Sequence, residues 1–283
     1  MAVGFRMERM QTTGPWLFVG AGNMAEAIAS GGLAAGVIDP GSLSGLDPSP
    51  SRRAPFERAF TESADAAAWL EAQGPRAGLV LATKPQMFPV VCEVWRPVLD
   101  AGPSRLVVSI LAGTTSAAIA AGLGPNARVV RVMPNTPIRV GLGMTAICPG
   151  RSAGPDDVDR VETLFSAGGK TLRIDEGLMD AFTAVAGSGP AYVFYLADAM
   201  LEAAQQLGFD REQALMIVRQ TVNGAGALLN GSPETPRALR QAVTSKGGTT
   251  AAATSVFDES GVHDAIVRGI HAARHRGAEL ARG

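Results

Sequence analysis

Two hydrophobic rhythms divide the chain. Through its first half, short continuous apolar runs alternate with stretches in which apolar residues return every three or four positions. The runs are 16–20 (WLFVG), 42–47 (SLSGLD), 77–83 (AGLVLAT), 105–113 (RLVVSILAG), 127–134 (ARVVRVMP) and 143–150 (GMTAICPG). The runs 77–83 and 105–113 are continuous apolar strands of the kind buried on both faces, and strands alternating with helices predict a parallel, doubly wound sheet. The first run leads into a helix whose inward positions are Met24, Ala27, Ile28 and Leu33. A helix over 156–169 (DDVDRVETLFSAGG) and a last strand at 170–175 (KTLRID) follow.

Beyond Leu178 only helical periodicity remains. The segment 189–208 has Pro190 in its first turn and Gly208 past its end, and 210–231 opens on Asp210 with Gln213 three residues later, a capping-box spacing. The pattern therefore predicts an α/β domain over 16–175 followed by an all-α domain over 176–283. Residues 1–15 are expected to form a loose extension.

Composition narrows the classes. With 46% hydrophobic and 18% charged residues, 283 residues can bury a sizeable core, and a net charge of −1 offers no basic face for nucleic acid. No apolar run reaches membrane-spanning length. Cys92 and Cys148 lack metal spacing, which fits a reducing, cytoplasmic setting. The three histidines, His263, His271 and His275, all lie near the C-terminus. The last two share a helix face, but arginines surround them and no third ligand is near in sequence, so no metal site is expected.

The strand-to-helix turn 20–25 reads GAGNMA and fits G-x-G-x-x-G/A. Gly20 permits a tight turn, Gly22 close approach of a pyrophosphate and Ala25 close helix packing. The helix start with Ala21, Asn23 and Met24 supplies free N–H groups and a positive dipole end. Asp47, ending the second run, suits the ribose hydroxyls of NAD. Ser49, Ser51, Arg52 and Arg53, next in sequence, suit the 2′-phosphate of NADP or a solvated helix start. Ligands of such sheets bind outside the carboxyl ends of strands, which selects Lys84 and Pro85, then Ile110, Leu111 and Ala112, and then Asn135, whose amide is expected to face the nicotinamide. Farther on, 244–250 (TSKGGTT) carries two glycines and four hydroxyls between helical patterns, more than a turn alone requires.

The stretches FVGAGNMAEAIA, VLATKPQ, RVMPNTP, GSGPAY and VTSKGGTT, in this order, closely resemble the pyrroline-5-carboxylate reductase family. The resemblance covers nearly the whole chain. It implies a Rossmann domain, a helical domain interlocking with a second copy, and dimers that assemble into decamers. It implies NADP or NAD as hydride donor and 1-pyrroline-5-carboxylate as substrate, reduced to proline.

By the same resemblance, Ser245, Gly247, Gly248, Thr249 and Thr250 hold the substrate carboxylate, Thr250 meets the ring nitrogen and Glu176 lines the pocket. The glycines would form a nest of inward amides; the plainer alternative is a helix turn with Thr249 or Thr250 as N-cap. Two departures stand out: Lys246 where the family often has proline, and Ser63, near the adenine ribose, where it commonly has asparagine. A β-hydroxyacid dehydrogenase would instead need a lysine where Val193 stands.

Overall fold

The computed structural model describes residues 13–49, 52 and 56–280. Most of the proposed extension, together with Ser51 and Arg53, lies outside the described residues. The chain divides into two compact units. One comprises the described residues up to Gly187 together with 274–280, and the other is Ser188–Ala273.

The first unit is built on eight strands: β1 (Trp16–Val19), β2 (Leu43–Leu46), β3 (Arg58–Phe60), β4 (Gly78–Leu81), β5 (Arg105–Ser109), β6 (Ala127–Met133), β7 (Gly143–Pro149) and β8 (Gly169–Arg173). Their order is β3-β2-β1-β4-β5-β6-β7-β8. The first six follow the dinucleotide-binding order, which reverses direction between β1 and β4. Helices α1 (Asn23–Ala34), α2 (Ser63–Ala72), α3 (Phe88–Ala101), α4 (Ser116–Leu123) and α5 (Pro155–Ser166) lie between strands in sequence. Their apolar faces join the strands in two buried clusters. One is centred on Trp16, Phe18, Ile28 and Phe165, the other on Leu17, Trp69, Trp95 and Leu99. The wholly buried runs of β1, β2, β4 and β5 match continuous apolar strands covered on both faces.

Two features depart from the sequence reading. The sheet is mixed, because β7 runs antiparallel to β6 while β8 returns parallel to β7. The β6–β7 link is a short 3₁₀ turn over Thr136–Val140, too short for the crossover a parallel pair requires. Strand β3 is also new. It has three residues on the sheet edge, one exposed and two half-buried, so it carries no apolar signature. Thr13, expected at the end of a loose extension, is tied down. Its N–H and hydroxyl donate to the Val37 carbonyl, and Arg160 donates to the Thr13 and Pro15 carbonyls while lying 4.1 Å from the Trp16 ring centroid.

A short helix α6 (Met179–Phe182) continues into a π turn, Thr183–Gly187, and closes this unit; Met179 is fully buried with Ala146 and Cys148. The second unit holds α7 (Gly189–Gln206), α8 (Arg211–Gly231), α9 (Pro236–Ala242), α10 (Thr249–Glu259) and the first part of α11 (Val262–Leu280). The expected punctuation is present. Gly208 takes φ +100° after α7, and Asp210 and Gln213 exchange reciprocal capping bonds at the start of α8. Only Ala204, Ala214 and Val218 are buried in this unit, whereas Phe194, Tyr195, Met216, Leu228 and Phe257 are exposed.

Candidate functional site

The carboxyl ends of β2, β1, β4 and β5 form a row, stitched by backbone bonds from Gly20 N–H to Leu46 O (2.9 Å), Ala82 N–H to Val19 O (2.8 Å) and Ile110 N–H to Leu81 O (3.1 Å). Gly20 takes φ +94°, and a Cβ there would meet Ala82 backbone at 2.8 Å, so no other residue fits. At Gly22 a Cβ would meet nothing within 4 Å. Gly22 is the N-cap of α1 and no side chain caps the helix, so its first amides have no intrahelical or side-chain cap partner. The Thr83 hydroxyl oxygen, at the end of β4, is buried without a hydrogen-bond partner. An open helix start, a glycine with room beside it and an orphaned hydroxyl fit a bound dinucleotide phosphate.

The other sequence-selected residues divide by exposure. Lys84, Ala112 and Asn23 are exposed, whereas Pro85, Met24, Ile110 and Ser63 are half-buried. Ala21 and Ala25 are buried, and the Leu111 side chain belongs to the core, which leaves its backbone as the part facing a ligand. Arg52 is exposed in the turn after Asp47, with its N–H donating to Ser49 O at 3.2 Å.

Asp47 does more than end a strand. One carboxylate oxygen accepts the Ala21 N–H at 3.0 Å and the other the Ser49 N–H at 2.9 Å. This 8%-exposed side chain fixes the glycine turn from β2. Asn135 differs from expectation. Its amide turns inward, where Oδ1 accepts the Met144 N–H at 2.9 Å and Nδ2 donates to Ala186 O at 3.0 Å. Two unsatisfied backbone groups there outweigh an outward pose toward the nicotinamide.

Glu176 is likewise held inside the sheet unit. Its carboxylate accepts from the Ser116 N–H (3.3 and 3.4 Å), the Ser116 hydroxyl and Arg131 Nη1 (2.5 Å), and Cys148 Sγ lies 3.8 Å away. Burial by itself would raise the Glu176 carboxyl, but Ser116 and Arg131 outweigh it and keep the group below its ordinary range. The Cys148 thiol is pushed up to about 11, first by burial and then by the Glu176 charge, so it is a poor nucleophile. Glu176 borders a recess of about 410 Å³ with Thr115, Ser116 and Arg151. The sequence reading missed Ser116 and Arg131. The second of the two arginines in ARVVRVM, the buried Arg131, was the available signal, because a charge in a buried strand requires a partner.

In the helical unit, Gly247 takes φ +72° with open space beside it, and Gly248, not Thr249 or Thr250, is the N-cap of α10. No side chain caps that helix either. Thr249 and Thr250 are its first two residues; the Gly248 N–H already donates to Ser245 O at 3.0 Å, so it is the amides at the helix start that are left for another partner. A Cβ on Gly248 would meet Ser245 Oγ at 2.4 Å and Ser245 O at 3.2 Å, so a larger residue there would turn the Ser245 hydroxyl away. Ser245, Lys246 and Thr249 are exposed and Thr250 is half-buried. Among the described residues no cluster of three potential metal ligands occurs, and no helix is long and apolar enough to cross a membrane.

Comparison with known proteins places these features in a family. Residues 176–280 match the model for pyrroline-5-carboxylate reductase dimerisation, and 17–113 match that of the coenzyme F420-dependent NADP oxidoreductases. The Pseudomonas aeruginosa pyrroline-5-carboxylate reductase is 38% identical over 266 residues, covering 93% of this chain and 96% of its own. The Coxiella burnetii pyrroline-5-carboxylate reductase structure superposes with a TM-score of 0.84 at 33% identity, covering 95% of this chain and 99% of its own. The Plasmodium falciparum pyrroline carboxylate reductase, solved with NADP bound, gives 0.83 at 26% identity, covering 95% and 98%. With the fold, the dinucleotide turn and the dimerisation segment all in agreement, the chain belongs to the pyrroline-5-carboxylate reductase family.

Proposed function

We propose that the chain uses these two glycine-led helix starts to reduce 1-pyrroline-5-carboxylate to L-proline, the last step of proline biosynthesis. The bound reduced nicotinamide supplies the hydride, which goes to the imine carbon, while the ring nitrogen takes its proton from solvent. A protonated imine is already electrophilic, so the chain needs no catalytic histidine, and its three histidines all lie near the C-terminus. The observation that carries the reading is that α1 and α10 both start on glycine with no side-chain cap, in a chain of this family. Such starts bind anions: a pyrophosphate at 20–25 and a carboxylate at 245–250.

In this reading Thr250 orients the ring nitrogen, and Ser245, Gly247, Gly248 and Thr249 hold the carboxylate. Glu176, whose charge is already answered by Arg131, lines the recess beside Ser116 rather than supplying a free anion. Residues 16–175 carry the dinucleotide, with Lys84, Pro85, Ile110, Leu111 and Ala112 completing its site, and 176–283 carry substrate binding and dimerisation. NADP is the favoured donor. Asp47 is tied to the glycine turn through the Ala21 and Ser49 amides, and Ser49, Arg52 and Ser63 offer hydroxyls and a guanidinium to the adenosine ribose and its 2′-phosphate. The Plasmodium relative with NADP bound supports the same choice. The exposed apolar faces of α7 and α8 support a homodimer, and the family resemblance extends this to a decamer in the cytoplasm.

The test is loss of NADPH or NADH absorbance by purified protein with and without 1-pyrroline-5-carboxylate. Imine-dependent turnover, faster with NADPH, is expected. Cofactor binding without turnover would overturn the reading, and faster turnover with NADH would reverse the ribose assignment.

A further inference from the structure

We propose that Asn135 is a positioning residue for the reduction: its amide stands in for a backbone N–H that Pro190 lacks, and so sets the loop at the carboxyl end of β6. In a regular helix the Ala186 carbonyl would accept from the amide four residues on. That residue is Pro190, which has no N–H. The ladder widens here into the π turn Thr183–Gly187, and the next amide, Ala191 N–H, donates to Ser188 O. The donor that reaches Ala186 is Asn135 Nδ2, at 3.0 Å.

The other end of the same amide fixes its orientation. Oδ1 faces the Met144 N–H at 2.9 Å, so flipping the group would set two donors and two acceptors against each other. One 8%-exposed side chain thus joins the 133–137 loop, the start of β7 and the π turn. The join is close on both sides, since a Cβ at Gly187 would already press Met133 Cε at 3.1 Å.

This inference rests on the reductase reading. In that reading the loop after β6 belongs to the row of strand ends where ligands of such sheets bind. A small displacement of a positioning loop lowers rate far more than affinity, because reacting atoms tolerate little misplacement. Asn135→Ala is therefore expected to lower kcat by about tenfold to a hundredfold, with the NADPH dissociation constant changed by no more than about twofold.

Two further variants make the test specific. Pro190→Ala restores an amide at position 190, so Asn135→Ala should cost less in that background, in both kcat and urea unfolding. Asn135→Asp keeps the size but presents an anion to the Ala186 carbonyl. Its activity relative to wild type should recover as pH falls and the protonated carboxyl becomes a donor. A folded Asn135→Ala or Asn135→Asp variant with wild-type kcat would overturn the proposal, as would equal costs of Asn135→Ala with and without Pro190. If wild type reduces no imine, the functional reading fails and the positioning role with it. The unfolding cycle would still report whether Asn135 replaces the missing amide.

Discussion

The two glycine-led helix starts look alike in sequence but are built differently. At 20–25 the surrounding fold dictates the shape: Gly20 is wedged against Ala82, and the Asp47 carboxylate holds the Ala21 N–H. At 245–250 the surroundings dictate little. Gly247 has the same positive φ but open space beside it, and most of the loop is exposed. The first loop is therefore shaped by its own sheet. The second keeps its form through glycine geometry and the bond from Gly248 N–H to Ser245 O, and leaves the amides at the start of α10 for a ligand. The units that carry them differ in the same way. The sheet unit buries whole strands, while the helical unit buries three residues and exposes Phe194 and Tyr195. One unit is complete within a single chain; the other displays the apolar surface of a dimerisation domain.

The harshest challenge to this contrast is to charge the helical face. Phe194→Glu with Tyr195→Glu is expected to convert the dimer to monomer in light scattering, since an unpaired buried charge costs roughly 3–5 kcal/mol. A dimer that persists would mean that this face is not the contact. Next is Gly20→Ala, which combines a strained φ with a backbone clash. It is expected to destabilise the chain by about 2–4 kcal/mol in urea unfolding and to abolish cofactor binding.

Thr250→Ala should leave unfolding nearly unchanged while lowering kcat by about tenfold to a hundredfold. Unchanged steady-state kinetics would remove Thr250 from the mechanism. Glu176→Gln is a smaller perturbation, about 1–2 kcal/mol, because the carboxylate is a third exposed and partly screened. The Glu176 pKa is depressed in the folded chain, so its contribution is present above the ordinary carboxyl value of about 4.3 and is lost as pH falls through the folded value. The variant should therefore match wild type in acid and fall behind it near neutrality. The mildest change is Gly247→Asn. Asparagine tolerates positive φ and meets no neighbour, so stability should stay within about 0.5 kcal/mol, in contrast to Gly20→Ala.

Much of the architecture was legible in residue order. The continuous apolar runs lie at β1, β2, β4, β5, β6 and β7, and the Asp210–Gln213 box and Gly208 punctuate the helices where their chemistry requires. Edge strand β3 was not legible because a half-exposed edge needs no apolar pattern. The reversed direction of β7 was hidden because an apolar run reads the same in either direction.

The sequence by itself determined the buried strands, most of the helices, and the motifs that mark a dinucleotide site. These are short-range matters of period, φ and side-chain chemistry. Only the tertiary structure decided that Asp47 serves the glycine turn, that Glu176 answers Arg131 and Ser116, and that Asn135 reaches Ala186 across 51 residues. Each of those pairings satisfies a buried polar group whose partner is distant in sequence, and no local pattern records where the chain will bring that partner.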